Sequence, residues 1–259
     1  MEFTEDQIHR YSRHILLPEV GGGGQARLLG ARVALVGAGG LGSPVGYYLA
    51  AAGVGTIGVI DDDRVELSNL QRQIAHTTRR IGALKVESAK EAWEGLNPDV
   101  RVVPHAVRLT AANIRGILED YDIVADGSDN FPTRYLVNDA CVMMKKTLVS
   151  AAVFRFEGQV LAVYPGAGPC YRCVFETPPP AGMVPSCQEV GVLGVVPGVV
   201  GTLQATEVVK AILGVGEPLR GRLLIWNALA MSFTVVKVPR NRACPVCGDH
   251  PTITGLADG

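Results

Sequence analysis

The chain has 259 residues, enough for one sizeable α/β domain or two small ones. Lys plus Arg (24) almost cancels Asp plus Glu (25), which excludes the broad positive surface of a nucleic-acid binder. Hydrophobic residues at 47% with 19% charged exclude disorder, and six cysteines in a chain this long are too few for a disulfide scaffold.

In chain order, Thr4-Glu5-Asp6-Gln7 fits a capping box, and Ile8, Tyr11, Ile15 and Leu16 recur at helical spacing. An amphipathic helix is therefore predicted, ended by Pro18 and the run Gly21 to Gly24, with that run as a flexible hinge. Residues 1–30 read as a helical arm and 31–259 as a single domain. From Arg32 strands near 32–36, 56–60, 100–104, 122–126 and 147–153 alternate with helices near 41–52, 82–95, 111–119 and 131–144. Such alternation predicts an α/β fold with a Rossmann-like, mostly parallel sheet covered on both faces over 31–150. Past Ser150, Phe156-Glu157-Gly158-Gln159-Val160 reads as a turn between two antiparallel strands, opening a half that runs 151–248, with a short tail 249–259. A Gly-rich helix near 197–213 and two strands near 222–238 complete the pattern.

Glycine is in excess, 31 of 259, and eight fall between Val33 and Ile60 in a stretch without charge. Length and hydropathy alone would admit a membrane span there. The glycines and Pro44 break it into strand, turn, helix and strand, so no membrane association is expected. Glu2, Glu5 and Asp6 stand where a signal peptide would need an apolar region, and a cytoplasmic location is the default.

Gly37-Ala38-Gly39-Gly40-Leu41-Gly42 satisfies G-x-G-x-x-G between a strand and a helix, where backbone N–H groups approach a phosphate at the helix N-terminus. Asp61, closing the second strand, is placed to accept from ribose hydroxyls. A dehydrogenase would look similar to this point. The following run Asp61-Asp62-Asp63-Arg64-Val65-Glu66-Leu67-Ser68-Asn69-Leu70-Gln71-Arg72-Gln73, with Lys85 on the next helix, gathers cations that suit phosphoryl chemistry rather than hydride transfer. Asp129, in Asp126-Gly127-Ser128-Asp129-Asn130, sits where a carboxylate can hold magnesium. Each charged residue taken singly reads equally well as a solvated loop end or a helix cap.

Cys170-Tyr171-Arg172-Cys173 and Cys244-Pro245-Val246-Cys247 supply four thiolates at the spacing of a closed structural zinc site, the alternative being a redox pair. Cys141 lies on an apolar helix and reads as core. Cys187, in the Pro/Gly loop 177–191, divides between a sulfur- or acyl-transfer nucleophile and an incidental loop residue.

The set Arg10-Tyr11-Ser12-Arg13-His14, Gly37 to Gly42, Ser68 to Gln73, Lys85, Ser128-Asp129-Asn130, Cys170/Cys173, Gly198 to Ala205 and Cys244/Cys247 resembles the MoeB/ThiF/HesA group, relatives of ubiquitin-activating E1 enzymes, and most of all MoeB. The resemblance implies an adenylyltransferase using ATP and Mg²⁺ on the C-terminal Gly-Gly carboxylate of a ubiquitin-fold sulfur carrier, releasing pyrophosphate. It implies that Gly37, Gly39, Gly40 and Gly42 contact the nucleotide phosphates and Asp61 the ribose, with Asp63 and Gln73 beside them. Asn69, Arg72 and Lys85 would grip the phosphates, and Asp129 would hold Mg²⁺. Arg13 would reach a partner subunit's site in a homodimer. The carrier reads first as MoaD-like, serving molybdopterin, with ThiS-like carriers and those for tRNA thiolation or cysteine synthesis as alternatives. The chain ends about a dozen residues after Cys247, so a separate sulfur donor such as a cysteine desulfurase or rhodanese is expected. An NAD-dependent oxidoreductase would explain only the glycine turn and Asp61. A silent ubiquitin-fold binding module would not be expected to keep Arg72, Lys85 and Asp129.

Overall fold

A computed structural model describes residues 2–180, 183 and 190–258. Eight strands form one sheet in the order β3-β2-β1-β4-β5-β6-β7-β8. Strands β1 (Arg32–Val36), β2 (Thr56–Ile60), β3 (Arg101–His105), β4 (Ile123–Asp126) and β5 (Thr147–Phe154) run parallel. Strands β6 (Glu157–Val163), β7 (Arg222–Asn227) and β8 (Ser232–Lys237) continue the sheet antiparallel. The chain moves outward from β1 to β3 and then crosses back to β4. That reversal leaves a crevice at the carboxyl ends of β1 and β4, where ligands of open α/β sheets sit.

Because β1, β2, β4 and β5 are covered on both faces, they read as largely apolar runs with no polar alternation, and their side chains divide between two cores, whereas β8 at the sheet edge is exposed throughout. On β1, Val33 and Leu35 join one cluster with Leu28, Val45, Leu49, Trp93 and Val200. Ala34 and Val36 join the other, with Ile114, Leu118, Val137, Tyr171 and Cys244. The first face carries α3 (Gly21–Gly30), α4 (Gly42–Ala52), α5 (Lys85–Leu96) and α9 (Val195–Leu213). The second carries α6 (Ile114–Leu118), α7 (Phe131–Met143) and α8 (Tyr171–Val174). Among the described residues α9 alone is long and apolar enough to cross a membrane, but here it packs across β4, β5 and β6 as a core helix.

Three expectations are corrected. The opening segment is capped as predicted, Thr4 Oγ1 accepting from Gln7 N and Gln7 Oε1 from Thr4 N, but it breaks at Tyr11 into α1 (Glu5–Arg10) and α2 (Ser12–Ile15). The run Gly21 to Gly24 is no hinge: it forms the first turn of α3. Tertiary packing overrides glycine's poor helix propensity there. Leu28 is fully buried, and Gln25 Nε2 donates to Ala52 O while its Oε1 meets His14 Nδ1. The turn between β5 and β6 falls at Arg155-Phe156, with Arg155 at φ 53°, so that only Phe156 of the predicted turn segment belongs to it and Glu157 to Val160 are strand. Gly158 is a strand residue, and a Cβ on it would lie 2.1 Å from Val200 Cγ2 of α9.

Candidate nucleotide site and cysteine cluster

The turn between β1 and α4 is built so that backbone meets backbone. Gly37 has φ +92°, in the left-handed region, and a Cβ on Gly42 would lie 1.9 Å from Gly37 O. The turn also abuts the loop after β4, since a Cβ on Gly37 would come within 3.2 Å of Gly127 O. The Gly37 to Gly42 motif and the Asp126 to Asn130 segment, 90 residues apart in sequence, thus form one edge.

Asp61 stands beside this turn at the end of β2. Its Oδ2 accepts from Ala38 N at 2.8 Å and its Oδ1 from Asp63 N at 2.9 Å. Both oxygens keep a further lone pair for a ligand hydroxyl. Burial pushes the Asp61 carboxyl up, opposed first by the nearby Lys85 ammonium and then by the two N–H donors. Lys85, on the first turn of α5, is buried and pairs with Asp63 Oδ2 at 2.7 Å.

The run after Asp61 folds back over the turn. Asn69 Oδ1 accepts from Glu66 N, and Arg72 Nη1 donates to Ser68 O at 3.1 Å. A Cβ on Gly40 would lie 3.5 Å from Arg72 Cγ and 3.2 Å from Pro197 Cβ, so the glycine turn, Arg72 and the start of α9 converge. Gln73 is buried beside Gly39, and its Oε1 has no hydrogen-bond partner. Ser128 Oγ, on the facing loop, is likewise buried without a partner. Orphaned polar atoms on both sides of the crevice fit a polar ligand between them. Asp129 is exposed at the N-terminal side of α7, whose cap Asn130 accepts from Thr133 N.

Arg13 is not at this edge. It is exposed on α2, next to His14 and Tyr11, which anchor to the far end of α4 through Gln25 and Asn97. Cys187 lies outside the described residues. Cys141 is fully buried in α7, and burial pushes its thiol up, as expected of a core residue.

The four cysteines of the two C-x-x-C pairs come together, all sulfurs within 4.8 Å of one another. Cys170 and Cys244 sulfurs are 3.6 Å apart and those of Cys173 and Cys247 3.4 Å, close to the edges of a tetrahedron with metal–sulfur bonds of ~2.3 Å. Donation from Cys170 holds the Cys173 thiol far below its usual range and raises Cys170 in turn, while Asn241 N also donates to Cys173 Sγ. The donor set fits zinc and leaves no open position. It ties the segment after β8 to α8, which is anchored to α7 by a two-pronged Arg172–Asp139 pair at 2.8 Å and by Tyr171 N donating to Asn138 Oδ1. Asp61, Asp62 and Asp63 form a second close acidic group, but Asp61 and Asp63 are already engaged as described.

The ThiF family profile matches residues 11–246. The chain belongs to the ThiF family. It is 53% identical over 263 residues to a sulfur carrier protein adenylyltransferase of Thermus thermophilus, aligning 100% of this chain with 97% of that one. It is 52% identical to the SAMP-activating enzyme E1 of Haloferax volcanii, over 94% of this chain and 90% of the relative. Similarity to the adenylyltransferase and sulfurtransferase MOCS3 of Bos taurus is also 52%, but there the chain spans only 56% of the longer relative. Among solved structures, Escherichia coli MccB with ATP superposes with a TM-score of 0.79 at 25% identity, covering 93% of this chain and 75% of that one.

Several residues that build this sheet edge carry no local sequence signal. His76 reaches Ala38 O, Gln204 Nε2 donates to Asp126 O and Val149 O, and Asp126 is buried with Ser150 Oγ and Ser128 N. Each joins residues at least two elements apart, except the Ser128 contact, so neither periodicity nor motif spacing marks them.

Proposed function

We propose that this ThiF-family protein uses ATP to adenylate the C-terminal Gly-Gly carboxylate of a ubiquitin-fold sulfur carrier, the step that prepares the carrier for thiocarboxylate formation. One observation carries the reading: the glycine turn and Arg72 converge on one sheet edge, in a chain 53% identical along its length to a sulfur carrier protein adenylyltransferase.

The carrier's carboxylate oxygen attacks the α-phosphorus, the bond to the bridging oxygen breaks, and pyrophosphate leaves with that electron pair. No enzyme nucleophile is needed, so the protein's work is alignment and stabilisation of charge. Gly37, Gly39, Gly40 and Gly42 let the backbone approach the phosphates, and Asp61 takes the ribose with Asp63 and Gln73 alongside. Asn69, Arg72 and Lys85 hold the phosphoryl oxygens, Lys85 being kept in place by Asp63 until the nucleotide arrives. Mg²⁺ bound to Asp129 would neutralise phosphate charge. Zinc at Cys170, Cys173, Cys244 and Cys247 would be structural.

Arg13 would act in a partner subunit's site within a homodimer. Its own α4 is 11 residues, or about 16 Å at ~1.5 Å per residue, and the arm sits at the end away from the glycine turn, beyond one side chain's reach. The arm also leaves Leu16 71% and Ile8 51% exposed, apolar surface that a second copy would cover. A MoaD-like carrier is the first to test, with ThiS-like carriers next, and sulfur would come from a separate donor in the cytoplasm. Incubation with Mg²⁺-ATP and a Gly-Gly carrier should yield a carrier heavier by one AMP in intact-protein mass spectrometry. An unmodified carrier across MoaD-like and ThiS-like proteins would overturn the reading.

A further inference from the structure

Ala38 is held from both ends of its residue. Its N–H donates to Asp61 Oδ2 at 2.8 Å, and its carbonyl lies 2.9 Å from His76 Nε2. His76 is 5% exposed, and its Nδ1 lies 3.0 Å from Ser88 Oγ on α5. A carbonyl oxygen can only accept, so Nε2 must carry a proton and donate to it. In the neutral ring Nδ1 is then the acceptor, and the Ser88 hydroxyl donates to it. Burial, with Lys85 and Arg80 nearby, disfavours a second proton on the ring and keeps it in that neutral form.

The peptide plane turns this contact into a statement about the nucleotide site. Ala38 C=O and Gly39 N–H belong to one trans peptide unit and point in opposite directions. Drawing the carbonyl inward to His76 therefore drives the Gly39 N–H outward. The same logic holds one unit earlier, where Asp61 takes the Ala38 N–H and Gly37 O is turned towards Gly42. Gly39 and Gly40 offer little steric resistance to a peptide flip, so the orientation needs an external hold. Among the described residues, Gly39, Gly40 and Leu41 donate their amides to no protein acceptor.

We infer that His76 is a positioning residue for ATP: as the Nε2-protonated tautomer backed by Ser88, it fixes the Ala38-Gly39 peptide so that the Gly39 N–H faces the nucleotide phosphate. The inference rests on the nucleotide reading of the glycine turn and deepens it. Loss of the hold forfeits one hydrogen bond to a charged group, so His76→Ala should weaken ATP binding at least about tenfold. The effect belongs in the Kd and KM for ATP, with the KM for the carrier unchanged. His76→Gln, whose amide can both donate to Ala38 O and accept from Ser88, should recover most of the affinity, whereas His76→Leu should not.

Two measurements on the whole protein test this. Nitrogen-15 NMR of the imidazoles should show His76 protonated at Nε2 and bare at Nδ1 near neutral pH, and calorimetry with Mg²⁺-ATP should show the order wild type, then Gln, then Ala and Leu. A proton at Nδ1 alone, or folded Ala and Leu variants that bind ATP as wild type does, would overturn the inference. If the Ala variant fails to fold, the tautomer and the Gln-to-Leu comparison still decide it. A wild type that binds ATP in this manner yet adenylates no carrier would refute the proposed function and leave the role of His76 standing.

Discussion

Replacing Lys85 by Met separates catalysis from folding. Lys85 is 7% exposed, and among the described residues its ammonium hydrogen-bonds only to Asp63 Oδ2, itself on a side chain 66% exposed. An ion pair with one partner so solvated contributes no more than ~1 kcal/mol, and Met fills much of the aliphatic volume of the lysine stem. The melting temperature should therefore move by no more than about 4 °C in a chain of this size. The rate effect is of another order, because a fixed donor to developing phosphoryl charge in a partly dry site is worth ~2.7–4 kcal/mol, or about 10²–10³ in rate. Carrier-dependent exchange of labelled pyrophosphate into ATP, read beside a thermal melt, gives both quantities from one preparation. Exchange within about fivefold of wild type at unchanged stability would mean that Lys85 does not stabilise the reacting phosphate, and the assignment of the cation set would fall.

Other outcomes follow from the same geometry. The purified protein should carry one zinc per chain; Cys244→Ser should release it and lower the melting temperature by more than about 5 °C, measured by metal analysis and calorimetry, because the site ties the post-β8 segment to α8. Equal zinc content in that variant would exclude a four-thiolate site. Gly46→Ala should cost roughly 1–3 kcal/mol in urea unfolding, since its Cβ would enter the Trp93 ring at 2.1 Å in the α4–α5 contact. Asp126 is fully buried, and burial pushes its carboxyl above the ordinary range, opposed first by Arg134. With the folded pKa raised, the native state holds the proton more tightly, so this group's contribution to stability falls as pH rises from the unfolded to the folded pKa. Asp126→Asn should flatten that decline in stability–pH curves; an unchanged slope would locate it elsewhere.

The parallel half was legible because its strands are short apolar runs separated by helical periods and turn glycines, all local signals. The C-x-x-C pairs were legible for the same reason: each is a local knuckle, and the chemistry of thiolates supplies the pairing. What escaped depends on contacts far apart in sequence. Gly21 to Gly24 looks like a break until Gln25 reaches Ala52 and Leu28 enters the core. Gly158 looks like a turn residue until Val200 of α9 crosses it. Lys85 and Asp63 read as independent ligands, whereas the fold first makes them partners. His76 offered no pattern at all; its meaning depends on the Ala38 carbonyl 38 residues earlier.

The central claim, activation of a carrier's terminal carboxylate, is tested most directly by pyrophosphate–ATP exchange against purified ubiquitin-fold carriers, each also prepared without its last two glycines. Exchange should appear with at least one intact Gly-Gly carrier and vanish with its truncated form. Exchange that is indifferent to the carrier, or absent with every carrier while ATP still binds, would contradict the account.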